Sequence, residues 1–126
     1  MDRKEETKLV KKELAKYGIN ARVGHGRGTA WGWLEINVGS GQQFGNEHIK
    51  DENNSHSNCP RCKAANSIMA FTEKIAQTVT GRHGEYGGRI LCLTQDHWTD
   101  KKGSVPIEHD LPKLLESISD LKALME

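Results

Sequence analysis

Residues 65–81 read ANSIMAFTEKIAQTVTG, the clearest helical pattern in the chain. Apolar or small side chains recur here three or four positions apart, which places them on one face of a helix. The stripe consists of Ala65, Ile68, Thr72, Ile75, Ala76 and Val79. Gly81 follows directly and suits the left-handed conformation that ends many helices. The stretch therefore predicts an amphipathic helix that buries this stripe.

A second helical pattern lies near the N-terminus. Val10, Leu14 and Tyr17 recur at helical spacing between lysine-rich positions. Gly18 can adopt the left-handed conformation that ends a helix, so we expect a first helix near residues 4–17.

Strand patterns follow this first helix. Apolar and polar residues alternate in residues 19–23 and again in residues 29–38, on the two sides of a glycine-rich turn, which predicts a hairpin. One face of the second strand carries Gly32, Leu34, Ile36 and Val38. Trp31, Trp33 and Glu35 lie on the opposite face, because side chains alternate across a strand. That face is either a second buried layer or a binding surface.

The C-terminal part completes the predicted fold. Residues 89–94 have the pattern of a third strand, and Asp110 can cap a last helix that tolerates Pro112 in its first turn. The apolar stripe of this helix is Leu111, Leu114, Leu115, Ile118 and Leu121. The order α-β-β-α-β-α predicts an α+β fold, a small mainly antiparallel sheet packed with two or three helices, in a single domain over residues 1–126.

Composition narrows the class of protein. Of the 126 residues, 35% are hydrophobic, and they occur in periodic groups, which is typical of a folded chain. No apolar run approaches the roughly 18 residues of a membrane span. The charged first six residues, MDRKEE, lack the hydrophobic stretch of a secretory signal. We therefore expect a cytoplasmic protein with no membrane partner.

The formal net charge of +1 is unevenly distributed. Residues 1–34 hold eight Lys or Arg against four Asp or Glu, a net charge of +4, whereas residues 104–126 hold two against five, a net charge of −3. A basic N-terminal part can attract a polyanion. It can equally attract the acidic C-terminal part within one fold, or keep the helices soluble.

A compact group of metal-binding residue types precedes the central helix. His56, Cys59 and Cys62 form the pattern H-x2-C-x2-C at the end of a long polar loop over residues 39–58. Thiolate and imidazole are the ligands that zinc prefers, and the short gap lets one turn direct both sulfurs at one ion. A metal would also explain how so long a loop is held in place.

A structural zinc site takes four ligands, so one more is needed. His97, just past the third strand, is the ligand that we predict, and His48 and Cys92 are the alternatives. Two other interpretations of the cluster stay open. The three residues can be neighbours by chance, or the C-P-R-C sequence before a helix, which resembles the C-P-x-C of glutaredoxin-like proteins over four residues, can be a redox site.

Two similar glycine-rich segments lie next to predicted strands. Residues 24–28 read GHGRG and residues 81–89 read GRHGEYGGR. Glycine lets backbone N–H groups approach a ligand, arginine offers a forked donor for phosphate, and nearby aromatic rings suit base stacking. They predict a nucleic-acid or anion site formed by His25, Arg27, Trp31, Trp33, Arg82, His83 and Arg89. The alternatives are ordinary turns for the segments and core packing for the tryptophans.

Signatures of catalysis are absent from the sequence. It holds no H-E-x-x-H, no G-x-S-x-G and no H-x-E with P-C-x-x-C, and neither glycine segment matches a P-loop or a dinucleotide-binding fingerprint. We predict no catalytic residues and expect a binding protein rather than an enzyme. Asp96 and His97 beside a zinc with an open position give the alternative of a metal-dependent hydrolase.

Several short stretches carry a family resemblance. They are YGI at residues 17–19, GTAWGWLEI at residues 28–36, YGG at residues 86–88 and DHW at residues 96–98. In these the chain resembles small phage- and plasmid-encoded domains of the large polyvalent protein-associated type. The resemblance implies a mobile genetic element, and as partners nucleic acid or a host or phage protein.

The sequence thus predicts a small binding or accessory protein that contacts nucleic acid through its glycine and arginine loops and is stabilised by a structural zinc. A protein-binding inhibitor or accessory factor, with Trp31 and Trp33 as interface residues, is the first alternative.

Overall fold

A computed structural model of the chain describes residues 3–26, 32–39, 42–44, 52–53, 59–82, 89–93 and 107–125. In chain order the elements are α1 (Arg3–Ala15), β1 (Arg22–His25), β2 (Leu34–Asn37), a 3-10 turn (Gln42–Phe44), α2 (Pro60–Thr80), β3 (Ile90–Leu93), α3 (Leu111–Ser117) and α4 (Asp120–Met125). The α+β class and the order α-β-β-α-β-α are confirmed.

The three strands form a mixed sheet with β2 in the centre. β1 pairs with β2 antiparallel, as a hairpin requires, whereas β3 pairs with β2 in parallel. A parallel neighbour needs a crossover connection, and α2 lies in the connection between β2 and β3. The sheet therefore holds one antiparallel and one parallel pair instead of being mainly antiparallel.

The predicted stripe of α2 forms the centre of the core. Ala64, Ala65, Ile68, Thr72 and Ala76 are buried, and the remaining two members of the stripe pack against the core cluster. Most of these side chains are small, so the helix axis can approach its neighbours closely. The helix packs against α1, β3, α4 and the 3-10 turn. The prediction for residues 65–81 is confirmed, including the left-handed Gly81 that ends the helix.

Gly18 connects the end of α1 to the start of α3. Its φ of 81° lies in the left-handed region, and a Cβ added there would come within 2.6 Å of the Asp110 carbonyl oxygen. The Asp110 N–H donates to the Gly18 carbonyl over 2.9 Å. Only glycine fits this contact, which holds the start of α3 against the turn that follows α1.

Two features differ from the sequence pattern. The last helical segment is divided, because Ile118 has extended backbone dihedrals (φ −124°, ψ 94°) between α3 and α4. In addition, the predicted polar loop over residues 39–58 contributes one side chain to the core, since Phe44 in the 3-10 turn is buried there.

His109 ties three distant segments together although it was no part of the sequence prediction. Its Nδ1 accepts from the Asn20 N–H over 3.0 Å, and its Nε2 donates to the Val38 carbonyl over 2.9 Å. Its backbone N–H and carbonyl both bond the Gln43 amide. The ring is buried, and burial lowers the pKa of His109. A neutral imidazole has one acceptor and one donor, which matches these two partners.

We expect stability to fall as the pH drops below about 6.5, because the unfolded chain then binds a proton at His109 that the folded chain does not bind. The slope should reach at most about 1.4 kcal/mol per pH unit. At neutral pH the free energy of unfolding of His109→Gln should be about 1–3 kcal/mol lower than that of the parent protein. It should also vary less with pH. Urea unfolding of both proteins from about pH 5.5 to 7.5 measures the free energy of unfolding and its slope against pH. An equal slope in both proteins would assign the titration to another histidine.

Candidate nucleic-acid interface

Both predicted glycine-rich segments begin or end at one edge of the sheet. The last residue of β1, His25, pairs with the first residue of β2, Leu34, and Leu34 pairs in turn with Ile90, the first residue of β3. Trp33 and Arg89 immediately precede these strands. The described parts of the two segments therefore lie close to one another at this end of the sheet.

Arg82 joins three elements at this edge. Its Nε and Nη2 donate to the two carboxylate oxygens of Glu6 on α1 over 2.9 Å and 2.7 Å, a forked ion pair. Its Nη1 donates to the Gly32 carbonyl just before β2 over 2.7 Å. The left-handed Gly81 and the Thr80 hydroxyl, which accepts from the Arg82 N–H, direct the chain into this position.

His25 completes the cluster from the strand side. Its Nε2 lies 2.7 Å from Glu6 Oε1, and its side chain is only 6% exposed. The hydrogen bond from Arg82 is the main reason that the pKa of Glu6 is lowered, and His25 adds to it, whereas burial opposes it. The carboxylate is therefore ionised at neutral pH, and both Arg82 and His25 bond it.

Trp33 and Arg89 form a second pair on the other side of the sheet. The guanidinium of Arg89 lies 4.7 Å from the centre of the Trp33 ring. Leu34 is buried in the core, so alternation places Trp33 on the opposite face, where it is partly exposed and Arg89 is exposed. A depression of about 300 Å³ lies on the same sheet, lined by Arg22, Val23, Gly24, Glu35 and Asn37.

The predicted interface residues thus fall into two groups. Trp33 and Arg89 are available at the surface, whereas His25 and Arg82 bind Glu6. Outside the described residues lie Arg27, Trp31, His83, and the predicted or alternative metal ligands His48, His56 and His97. Sequence reasoning missed Glu6, because its partner Arg82 is 76 positions away and no local pattern connects them.

The two cysteines of the predicted zinc site lie at the start of α2. Cys59 directly precedes the helix and Cys62 is in its first turn. Cys59 is fully buried, and Cys62 is partly exposed. The described residues contain no group of three metal-binding side chains, and His56 and His97 lie outside them. No disulfide involves either cysteine.

Cys92 has a different environment. It packs against the hydrophobic core, and burial, with a smaller effect of the Glu73 carboxylate, raises the pKa of its thiol to about 12. Glu73 lies on α2 eleven residues beyond Cys62, about 16 Å along the helix axis. Cys92 therefore behaves as a small apolar side chain and is badly placed to complete a site with Cys62.

The ion pair between Arg82 and Glu6 should stabilise the fold measurably. In a double-mutant cycle with Glu6→Gln and Arg82→Met, we expect a coupling energy of about 2 kcal/mol from urea unfolding, because both partners are largely buried and the contact is forked. The matched control is the exposed pair of Glu13 and Lys16. It should give less than about 0.5 kcal/mol. Equal coupling in the two cycles would contradict this interpretation.

None of the helices in the described ranges combines the length and apolar character needed to cross a bilayer. Comparisons of the chain with protein-family models, with curated proteins and with solved structures each give no match. The resemblance to large polyvalent protein-associated domains stays a prediction, and function is argued from the residues themselves.

Proposed function

We propose that this protein binds nucleic acid, and that the face of the sheet bearing Trp33 and Arg89 is the contact surface. The observation that carries the proposal is the pairing of an aromatic ring with an arginine at the surface, at the start of two adjacent strands. Aromatic rings stack on bases of any sequence, and guanidinium groups bond phosphate.

The rest of this face suits an extended single strand. Along β2 the side chains of Trp33, Glu35 and Asn37 share one face, and the outer two are about 13 Å apart. Arg22 and Asn37, which pair across β1 and β2, line the depression at the far end. A cation therefore stands at each end of the face, and an amide that can bond a base edge stands near one of them.

The cluster of Glu6, His25 and Arg82 has a supporting part in this proposal. Its donors bond the Glu6 carboxylate and the Gly32 carbonyl, so it fixes the position of the chain directly before Trp33. Arg82 and His25 then act by holding the surface together, and Trp33 and Arg89 make the contact.

Replacing Trp33 by alanine should weaken binding of a fluorescein-labelled oligothymidylate about tenfold, since stacking contributes roughly 1–3 kcal/mol per base. Trp33→Phe keeps an aromatic face and should lose less. Fluorescence anisotropy measures the affinity, and thermal unfolding checks that each variant folds. An affinity equal to the parent in Trp33→Ala would refute the proposal. A partner whose binding needs Trp33 but ignores salt would point to a protein interface instead.

We also propose that Cys59 and Cys62 hold a structural zinc ion together with His56 and His97. The support is the position of the two cysteines, one directly before α2 and the other in its first turn, with the two-residue gap that suits zinc ligands. Two sulfurs before and within the first helical turn are a common way to present thiolates to zinc. The ion would fix the start of α2.

Untagged protein should then contain about one zinc per chain by elemental analysis. The double variant Cys59→Ser with Cys62→Ser should lose it and unfold at least about 5 °C lower. Cys92→Ala is the matched control and should retain the metal. Metal-free parent protein, or unchanged zinc in the double variant, would rule the site out.

A further inference from the structure

A groove between α1 and β1 is lined mainly by basic side chains. It has a volume of about 550 Å³ and is lined by Arg3, Lys4, Thr7, Lys8, Lys11 and His25. The lysines recur at spacings of four and three, so one side of α1 presents all of them to the groove. None of the predicted interface residues except His25 belongs to it.

The lysine charges in the groove are not cancelled by carboxylates in the part of the chain that the structure describes. Lys4, Lys8 and Lys11 are exposed and form no ion pair there, in contrast to Lys16, which pairs with Glu13 over 3.0 Å. Among the residues that the structure describes, no acidic one lines the groove.

One acid on α1 between the lysines is already paired. Arg82 and His25 hold the carboxylate of Glu6, and its lowered pKa keeps it ionised in that pair. The ion pair with Arg82 thus neutralises this carboxylate, which lies beside the groove residue His25. It also fixes α1 beside β1, which forms the groove.

The spacing of the cations fits a chain of phosphates. From Lys4 to Lys11 the helix rises about 10 Å. One strand of nucleic acid carries a phosphate about every 3.4 Å along a duplex axis, so roughly three phosphates match this length.

The other polar side chains of the groove already have contacts within the fold. Arg3 Nη2 donates to the Gly26 carbonyl, the Thr7 hydroxyl donates to the Arg3 carbonyl, and His25 Nε2 bonds Glu6. The lysine ammonium groups are therefore the donors that the proposal uses.

We propose that this groove binds a chain of phosphate groups, supplied either by a nucleic-acid backbone or by inorganic polyphosphate. The site lies on the opposite face of the sheet from Trp33, because His25 pairs with the buried Leu34. The groove proposal can therefore be tested independently of the proposed contact surface around Trp33.

The test compares two triple variants that remove equal charge. The groove variant replaces the three lysines of the groove by glutamine: Lys4→Gln, Lys8→Gln and Lys11→Gln. Lys74→Gln, Lys113→Gln and Lys122→Gln remove the same charge from exposed positions on α2, α3 and α4. Binding of fluorescein-labelled oligothymidylate, and competition by inorganic polyphosphate, is followed by anisotropy from about 50 to 200 mM salt. Thermal unfolding checks that both variants fold.

The groove variant should bind at least about tenfold more weakly at the lower salt, and the slope of log affinity against log salt should decrease by about 2, or 0.7 for each lysine. The control should keep the parent slope. Equal losses in the two variants, no loss in the groove variant, or a parent that binds neither probe would overturn the proposal.

The two sources of phosphate, and the two proposals, separate in the same experiment. Polyphosphate that binds in a lysine-dependent way while oligothymidylate does not would support the groove and refute the nucleic-acid surface. Loss of oligothymidylate binding in Trp33→Ala, with full binding of both probes in the groove variant, would support the surface and overturn the groove.

Discussion

The position of every candidate site depends on the burial of one face of α2. A helix of 21 residues is about 30 Å long, and its stripe of small and apolar side chains leaves a single orientation in which the core closes. The two ends of the helix are then far apart. Cys59 and Cys62 lie at one end, and Arg82 follows the other, so a zinc ion at the start would fix the helix without contacting the basic surfaces.

At the far end, one carboxylate determines how charge is distributed. The Glu6 carboxylate accepts two hydrogen bonds from the Arg82 guanidinium and one from the His25 imidazole. Without that pairing a negative charge would stand among the lysines of α1. With it, the same residue links the helix to the sheet and leaves the groove cationic. A structural ion pair and a groove lined by lysines thus depend on the same contact, which argues against treating the Arg82 and His25 donors as ligand contacts.

The sequence was most informative where local rules decide the structure. Helical periodicity and Gly81 predicted α2, and alternation predicted the hairpin, because both patterns depend on residues a few positions apart. Contacts between residues that are distant in sequence were not predicted. His109 bonds Asn20 across 89 positions, and the Arg82 partner Glu6 is 76 positions away. The break at Ile118 was also hidden, since the apolar spacing runs through it, although Ser119 directly before α4 is a residue type that favours a helix start.

The candidate site was accordingly predicted only in part. The described parts of the two glycine-rich segments lie at the same end of the sheet, and Trp33 with Arg89 stands at the surface there. Chemistry alone could not show which arginines would be engaged within the fold. An arginine is equally suited to a phosphate and to a glutamate, and only the tertiary structure assigns Arg82 to the second. The basic character of the N-terminal part was evident from composition, but the groove was not, because it needs β1 beside α1.

The lysine groove and the face that bears Trp33 and Arg89 are linked through the backbone at the end of β1. Arg3 Nη2 lies 3.4 Å from the Gly26 carbonyl, and the Gly26 N–H donates to the Trp33 carbonyl over 2.9 Å. The end of the groove and the start of the Trp33 face are therefore separated by a single residue of β-hairpin. If both proposals hold, a short ligand would contact one surface only, because the sheet stands between them. A longer strand that passed from one face to the other would meet the lysines on one side and the aromatic ring on the other. Its binding would then combine a salt-dependent part with a stacking part that salt leaves intact.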